Sequence, residues 1–341
     1  MDDSTALVLA LQLMALSCIA AALLLYLVCR LRGRGNGNGS GGGAVQGAVL
    51  VTACDTTIGL QTALHLAGLG YRVFAGLKEP QGQSVAAKAL RAWNKAQEGE
   101  GEAELGSERG SLITLALDVT REDLLHEAVG TVRSHLPAGE DGLWAVINTA
   151  GLCCKGRLDQ QESAHWDAML KHNVVGSLRA ARTFMPLLRN KRGRLINIGV
   201  SVRGAPGAGL VAYTAARYAV EGASAALRHE MAPHGIHVIT LQPEGIATET
   251  LFAPPRNGSQ PERQEADKNE GETVVEVHHV EAEFSVLPLR AMRTVEEALT
   301  SQAPKHSYHL MPLGSYNCLN QFVIKTRDKM MCFQNKNKQN T

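Results

Sequence analysis

Tyr213 and Arg217 stand four residues apart in YTAAR, a spacing that on a helix puts both side chains on one face, one turn apart. A phenol, with an unperturbed pKa of about 10, serves as an acid or base near neutral pH only with a cation beside it. Arginine supplies that charge, but a guanidinium that holds its proton beyond about pH 12 cannot relay it. A second chemistry-bearing stretch is VLVTACDTTIG, residues 49–59. An apolar run gives way there to a helical pattern, and such a turn aims free backbone N–H groups and the positive helix end where a pyrophosphate can sit. Gly59 permits close helix packing, whereas the β-branched Thr57 puts bulk beside that position. Other constellations carry less. Gly37, Gly39 and Gly42 have GxGxxG spacing but no strand before them, His278 and His279 lack spaced partners, and seven cysteines form no CxxC pair. No metal site is expected.

The elements that must position these residues follow from periodicity. Short apolar runs at 48–52, 73–75, 112–117, 143–147, 195–198 and 236–241 read as strands, with helical stretches at 58–69 and 213–231 among the segments between them. This alternation predicts an α/β fold, a Rossmann-type doubly wound parallel sheet in a single domain. Residues 94–111, rich in Glu and Gly, read as a solvated loop, and 254–283 as a polar, acidic excursion.

Residues 6–29 hold 24 residues without a charge, enough to cross a bilayer core of about 30 Å. Asp2 and Asp3 precede that run and Arg30, Arg32 and Arg34 follow it, so the bulk of the chain is expected on the cytosolic side of a single-pass anchor. The predicted organisation is an anchor at 1–32, a Gly-rich linker at 33–46, the Rossmann-type domain at 47–252, the acidic insert at 253–285, a remnant of the domain at 286–324 and a basic tail at 325–341. The 34 basic and 33 acidic side chains nearly cancel, which gives no reason to expect a nucleic-acid partner.

The ordered motifs VLVTACDTTIG, LDVT at 117–120, GLWAVINTAG at 142–151, HNVVG at 172–176, the stretch from Gly193 to Gly222 and LQPEGIATET at 241–250 resemble the short-chain dehydrogenase/reductase family. The similarity is to its membrane-associated branch of 17-beta-hydroxysteroid, retinol and 3-hydroxybutyrate dehydrogenases. The resemblance implies a nicotinamide cofactor, NAD with NADP also open, held by Thr52, Asp55, Ile58, Gly59, Asp118, Val119, Asn148, Ala150, Gly151, Tyr213, Arg217 and Pro243. Asp118 would accept from the adenine amino group, and the Asn148–Gly151 turn would hold the central strand against the cofactor. It implies Tyr213 as proton donor, Arg217 where relatives carry lysine, and Asn173 as support of a proton relay.

The family's substrate-polarising serine falls on Val200 in a gapless match, with Gly199 beside it. Ser201 restores a hydroxyl, at twelve residues before Tyr213, only if the strand end bends to turn it around. Glu244, in PEG, is expected near the nicotinamide edge. The partners implied are a small lipophilic alcohol or ketone, the bilayer and a second copy in a homodimer, with the endoplasmic reticulum as location. Two functions stay open: oxidation of a steroid- or retinoid-like alcohol to its carbonyl, and a catalytically impaired member that acts as a binding or scaffold protein.

Overall fold

The computed structural model describes residues 46–99, 110–200, 207–244, 248–255 and 287–310. The expected anchor and basic tail, the linker up to residue 45, most of the acidic insert, His278, His279 and Ser201 lie outside the described residues, while Gln46, the last residue assigned to the linker, opens the first strand. Among the described residues no helix is long and apolar enough to cross a membrane, and no group of three His, Cys, Asp or Glu side chains is placed to hold a metal ion.

Among the described residues seven strands, β1 (Gln46–Val51), β2 (Tyr71–Leu77), β3 (Ser111–Ala116), β4 (Ala145–Asn148), β5 (Arg194–Ile198), β6 (His237–Pro243) and β7 (Ser307–Leu310), form one sheet in the order β3-β2-β1-β4-β5-β6-β7. Every neighbouring pair is parallel. Each connection must therefore cross over the sheet, and helices do so: α1 (Thr57–Gly68), α2 (Val85–Gly99), α3 (Glu122–His135), α4 (Ser163–Leu170), α5 (Gly176–Lys191), α6 (Val211–Met231), the single turn α7 (Thr248–Leu251) and α8 (Leu289–Thr300). Alternate strand residues serve opposite faces. Val49, Val51, Val73 and Ala75 pack under α1, α2 and α8, while Ala48, Leu50 and Phe74 pack under α3, α5 and the end of α6. Burial on both faces explains why the strands read as continuous apolar runs rather than alternating ones.

Two readings change. Asn94–Gly99 continue α2 rather than opening a loop, because Trp93 keeps the helix docked and Asn94 Nδ2 donates to the Leu112 carbonyl at 3.1 Å. Ser307–Leu310, which alternation did not mark as a strand, adds the edge strand β7 beside β6. It is held there by α8, whose Ala291, Met292, Val295, Ala298 and Leu299 form one buried stripe. The chain winds outward from β1 to β3 and then outward again from β4 to β7, so the order reverses between β1 and β4. In such sheets the crevice at the carboxyl ends of those strands is where ligands bind.

Candidate active site

The turn after β1 is built by its own side chains. Thr56 caps α1: its hydroxyl accepts from the Gly59 N–H at 3.1 Å and donates to the Ala53 carbonyl at 2.7 Å. A Cβ on Gly59 would stand 1.9 Å from the Ala53 oxygen, so only glycine lets the helix pack this close to the turn. Thr149 accepts from the Ala53 N–H at 3.3 Å. The Ile58 side chain is buried in the core rather than lining the cleft.

A buried polar chain ties the switch point to α6. The Thr52 hydroxyl donates to Asn148 Oδ1 at 2.9 Å, Asn148 Nδ2 to Asn197 Oδ1 at 3.4 Å, and Asn197 Nδ2 to the Ser224 hydroxyl at 3.0 Å. With every member partnered, the chain fixes β1, β4 and β5 in register at the crevice.

Asp55, Lys78, Asp118, Val119 and His172 gather at the far end of the cleft. Asp55 Oδ2 accepts from the Lys78 N–H at 2.6 Å, and burial nonetheless raises its carboxyl above the usual range. Asp118 goes the other way. Burial opposes its charge, but the Thr120 N–H and hydroxyl, both at 2.8 Å from Oδ1, together with Lys78 hold it below the ordinary value. Burial, then Lys78, lowers His172. Cys54 is fully buried beside Asp55, and burial pushes its thiol up, so it stays protonated and inert.

At the near end, Tyr213 and Arg217 meet on one face of α6, with the guanidinium carbon 5.5 Å from the Tyr213 ring centre. Lys171–Val175 between α4 and α5 form a π-helical turn, an inserted residue that such turns often place at functional sites. It drives Asn173 fully inside. Asn173 Nδ2 donates to the Leu152 carbonyl at 2.8 Å, and its Oδ1 accepts from the Leu152 N–H at 2.9 Å and from Arg217 at 2.8 Å. Arg217 also donates to the Ile198 carbonyl at 3.1 Å. It is 1% exposed, its Nε has no partner among the described residues, and burial lowers its proton affinity.

Arg217 therefore brings Tyr213 and Asn173 together, through its contact with the ring and its direct bond to Asn173. Val200 is the residue that the resemblance sets at the serine position. Gly199 beside it is packed against Glu221, whose carboxylate a Cβ at 199 would meet at 2.0 Å and which accepts from Gln242 Nε2 at 2.9 Å. Pro243 closes β6, and Glu244, expected at the nicotinamide edge, pairs with His309 Nδ1 of β7 at 2.6 Å.

Two residues that the sequence did not single out enter this cleft. The Phe252 ring centre lies 4.2 Å from the Arg217 guanidinium carbon and 6.3 Å from the Tyr213 ring. A Cβ on Gly151 would stand 2.3 Å from the Phe252 ring, so the two are in direct contact. The Ala253 carbonyl accepts from both the Thr57 N–H and the Thr57 hydroxyl, each at 2.9 Å. The Ala253 contact joins residues 196 positions apart, and no local pattern announces it or the Phe252 contacts.

The sequence profile of the short chain dehydrogenase family matches residues 47–254, the whole span from β1 through this cleft. The chain belongs to that family. It is similar to the mitochondrial D-beta-hydroxybutyrate dehydrogenase of Rattus norvegicus, 32% identical over 212 residues, which are 61% of this chain and 57% of that protein. It is likewise similar to estradiol 17-beta-dehydrogenase 2 of Rattus norvegicus, 32% identical over 206 residues, 60% of this chain and 49% of that one. The chain thus spans about half the length of the curated relatives it matches. A metagenomic short-chain oxidoreductase solved in complex with NADP shares the fold, with a TM-score of 0.53 and 19% identity over 78% of this chain and 96% of that one.

Proposed function

We propose that the chain is a nicotinamide-dependent oxidoreductase that interconverts a lipophilic secondary alcohol and its ketone. The observation that carries this reading is the pairing of Tyr213 with the buried Arg217 at the crevice of the short-chain dehydrogenase fold. Family membership supports NAD or NADP as cofactor, and the donor set fits one: a capped helix start behind a glycine that tolerates no Cβ, and carboxylates at Asp55 and Asp118 able to accept from ribose or adenine. When bound, the nicotinamide exchanges a hydride with the carbinol carbon. Tyr213 Oη takes the proton from the substrate hydroxyl during oxidation and returns it during reduction, and the Arg217 charge favours the deprotonated phenol. Asn173 orients Arg217. Ser201 would polarise the substrate oxygen if the strand end turns it inward.

The relatives named above carry hydroxybutyrate and estradiol in their names, which supports a small alcohol. The uncharged run at 6–29 supports a lipophilic one, reached from a membrane with the domain at 47–252 on the cytosolic face. Oxidation of a panel of steroid, retinoid and hydroxybutyrate alcohols with NAD and NADP tests this reading. Turnover by the parent that falls about 10² or more in Tyr213→Phe is expected. Equal turnover by Tyr213→Phe, or none by the parent, overturns it. The last result would favour the second reading, a binding or scaffold protein, which draws on the missing hydroxyl at Val200 and on a guanidinium in place of a relaying amine.

A further inference from the structure

Where the proposed reading needs a dinucleotide, the described residues place a piece of the chain itself. Two groups on a strand–turn–helix crevice define the phosphate and nicotinamide ends of such a site: the N–H groups at the start of the first helix and the surface beside the catalytic face. Both are taken by neighbours in sequence. The Ala253 carbonyl caps the Thr57 N–H and hydroxyl, and the Phe252 ring lies on Gly151 and Arg217. Leu251, fully buried just before them, fixes the pair from one side.

The energetics favour this occupancy. A guanidinium taken out of water is destabilising unless its charge is met, and no carboxylate among the described residues meets Arg217. Its compensation is hydrogen bonds to the Ile198 carbonyl and Asn173, a further one with Tyr213, and the faces of two rings, Tyr213 and Phe252. One of the two rings comes from the segment. The helix start likewise gains an acceptor that mimics a phosphate oxygen. Both contacts are lost if the segment leaves, and an arriving dinucleotide must replace them.

We infer that Phe252 and Ala253 act as an intramolecular occupant of the dinucleotide cleft, so that the chain rests closed and binds cofactor only when this segment is displaced. The inference rests on the proposed function, because it names what the segment competes with. If the open form is a minor fraction, apparent affinity is reduced by that fraction.

The test is a fluorescence titration of the full-length chain in detergent with NADH and NADPH, for the parent, for Phe252→Ala and for the double variant Thr57→Cys, Ala253→Cys. The last pair joins positions whose backbones are hydrogen-bonded, which brings their Cα atoms within the range a disulfide spans. It is oxidised with oxidised glutathione, and its cross-link is verified by peptide mass. Phe252→Ala is expected to bind about tenfold or more tighter than the parent, and the cross-linked pair about tenfold or more weaker than its reduced form. Should Phe252→Ala fail to fold, the cross-linked and reduced forms decide the matter alone. Equal affinity of both forms of the pair, or no cross-link at all, overturns the inference and leaves the proposed function standing. If no form binds either dinucleotide, reduced pair and Phe252→Ala included, the proposed function falls and the competition with it.

Discussion

In the proposed reaction Arg217 is the residue on which the chemistry turns, because it combines a charge with a burial that leaves it few partners. Replacement by methionine keeps most of the volume but leaves Asn173 Oδ1 without one donor, the Ile198 carbonyl without another, and Tyr213 without its cation. Arg217→Met is expected to lower alcohol oxidation by about 10² and to move its pH profile to the alkaline side, as pH–rate measurements will show, since loss of a nearby positive charge disfavours the phenolate. Arg217→Lys should retain the profile in part. Gly59 makes a simpler case. Its absent Cβ would collide with the Ala53 carbonyl carbon as well as its oxygen, and backbone atoms cannot swing aside. Gly59→Ala is therefore expected to cost about 3 kcal/mol or more, read as a lowered midpoint in denaturant melts. At this scale the sequence was informative about which residues face each other one helical turn apart. It said nothing of the direct Arg217–Asn173 bond, because that contact depends on a π-helical turn that breaks the 3.6-residue period at Lys171–Val175.

At the scale of elements, the strands from β1 to β6 were legible because both faces of a parallel sheet are buried and each strand is then a short apolar run. The last pair was not. β7 spells SYHL, with an exposed histidine, and its place depends on α8 being pinned to the sheet from the other side. The pin is Arg194. From β5 its guanidinium stacks on Trp144 at 4.8 Å and donates to the Ala298 and Ser301 carbonyls at 2.5 and 2.6 Å, while Trp144 Nε1 donates to Leu299 at 3.0 Å. The orphan carbonyls at the end of α8 are thus satisfied by one buried arginine and one indole. Arg194→Leu keeps the apolar contact but removes two charge-assisted bonds, and a loss of about 2–3 kcal/mol is expected by denaturant melts. Hydrogen exchange should then rise first in α8 and β7. Uniform loss of protection across the sheet would mean that the arginine stabilises β5 rather than α8.

For the whole molecule, pH reports on how the charged groups are distributed through the fold. His172 is lowered by burial and then by Lys78, with Lys171 acting in the same direction and Asp118 against it. His237 is lowered by burial, then by Arg194 and His306. A histidine whose folded pKa lies below its unfolded value of about 6.5 takes up protons more readily when unfolded. Its contribution is fully present above that value and is lost as pH falls from there through the lowered folded value. The acid range offers no such clear sign, because Asp55 is shifted up by burial and Asp118 is shifted down by its hydrogen bonds, so the two oppose each other there. The upper window belongs to the histidines. Urea melts of the parent at pH 7.5 and 5.5 are expected to show lower stability at 5.5. The double variant His172→Gln, His237→Gln should lose less between the same two values, because neither side chain then charges on unfolding. Since His172 faces Lys78, Lys171 and Asp118 while His237, at the start of β6, faces Arg194 and His306, the two share no charged neighbour, so their effects should add, and each single variant should recover part of the slope. A double variant that loses as much stability as the parent would place the proton uptake elsewhere in the chain.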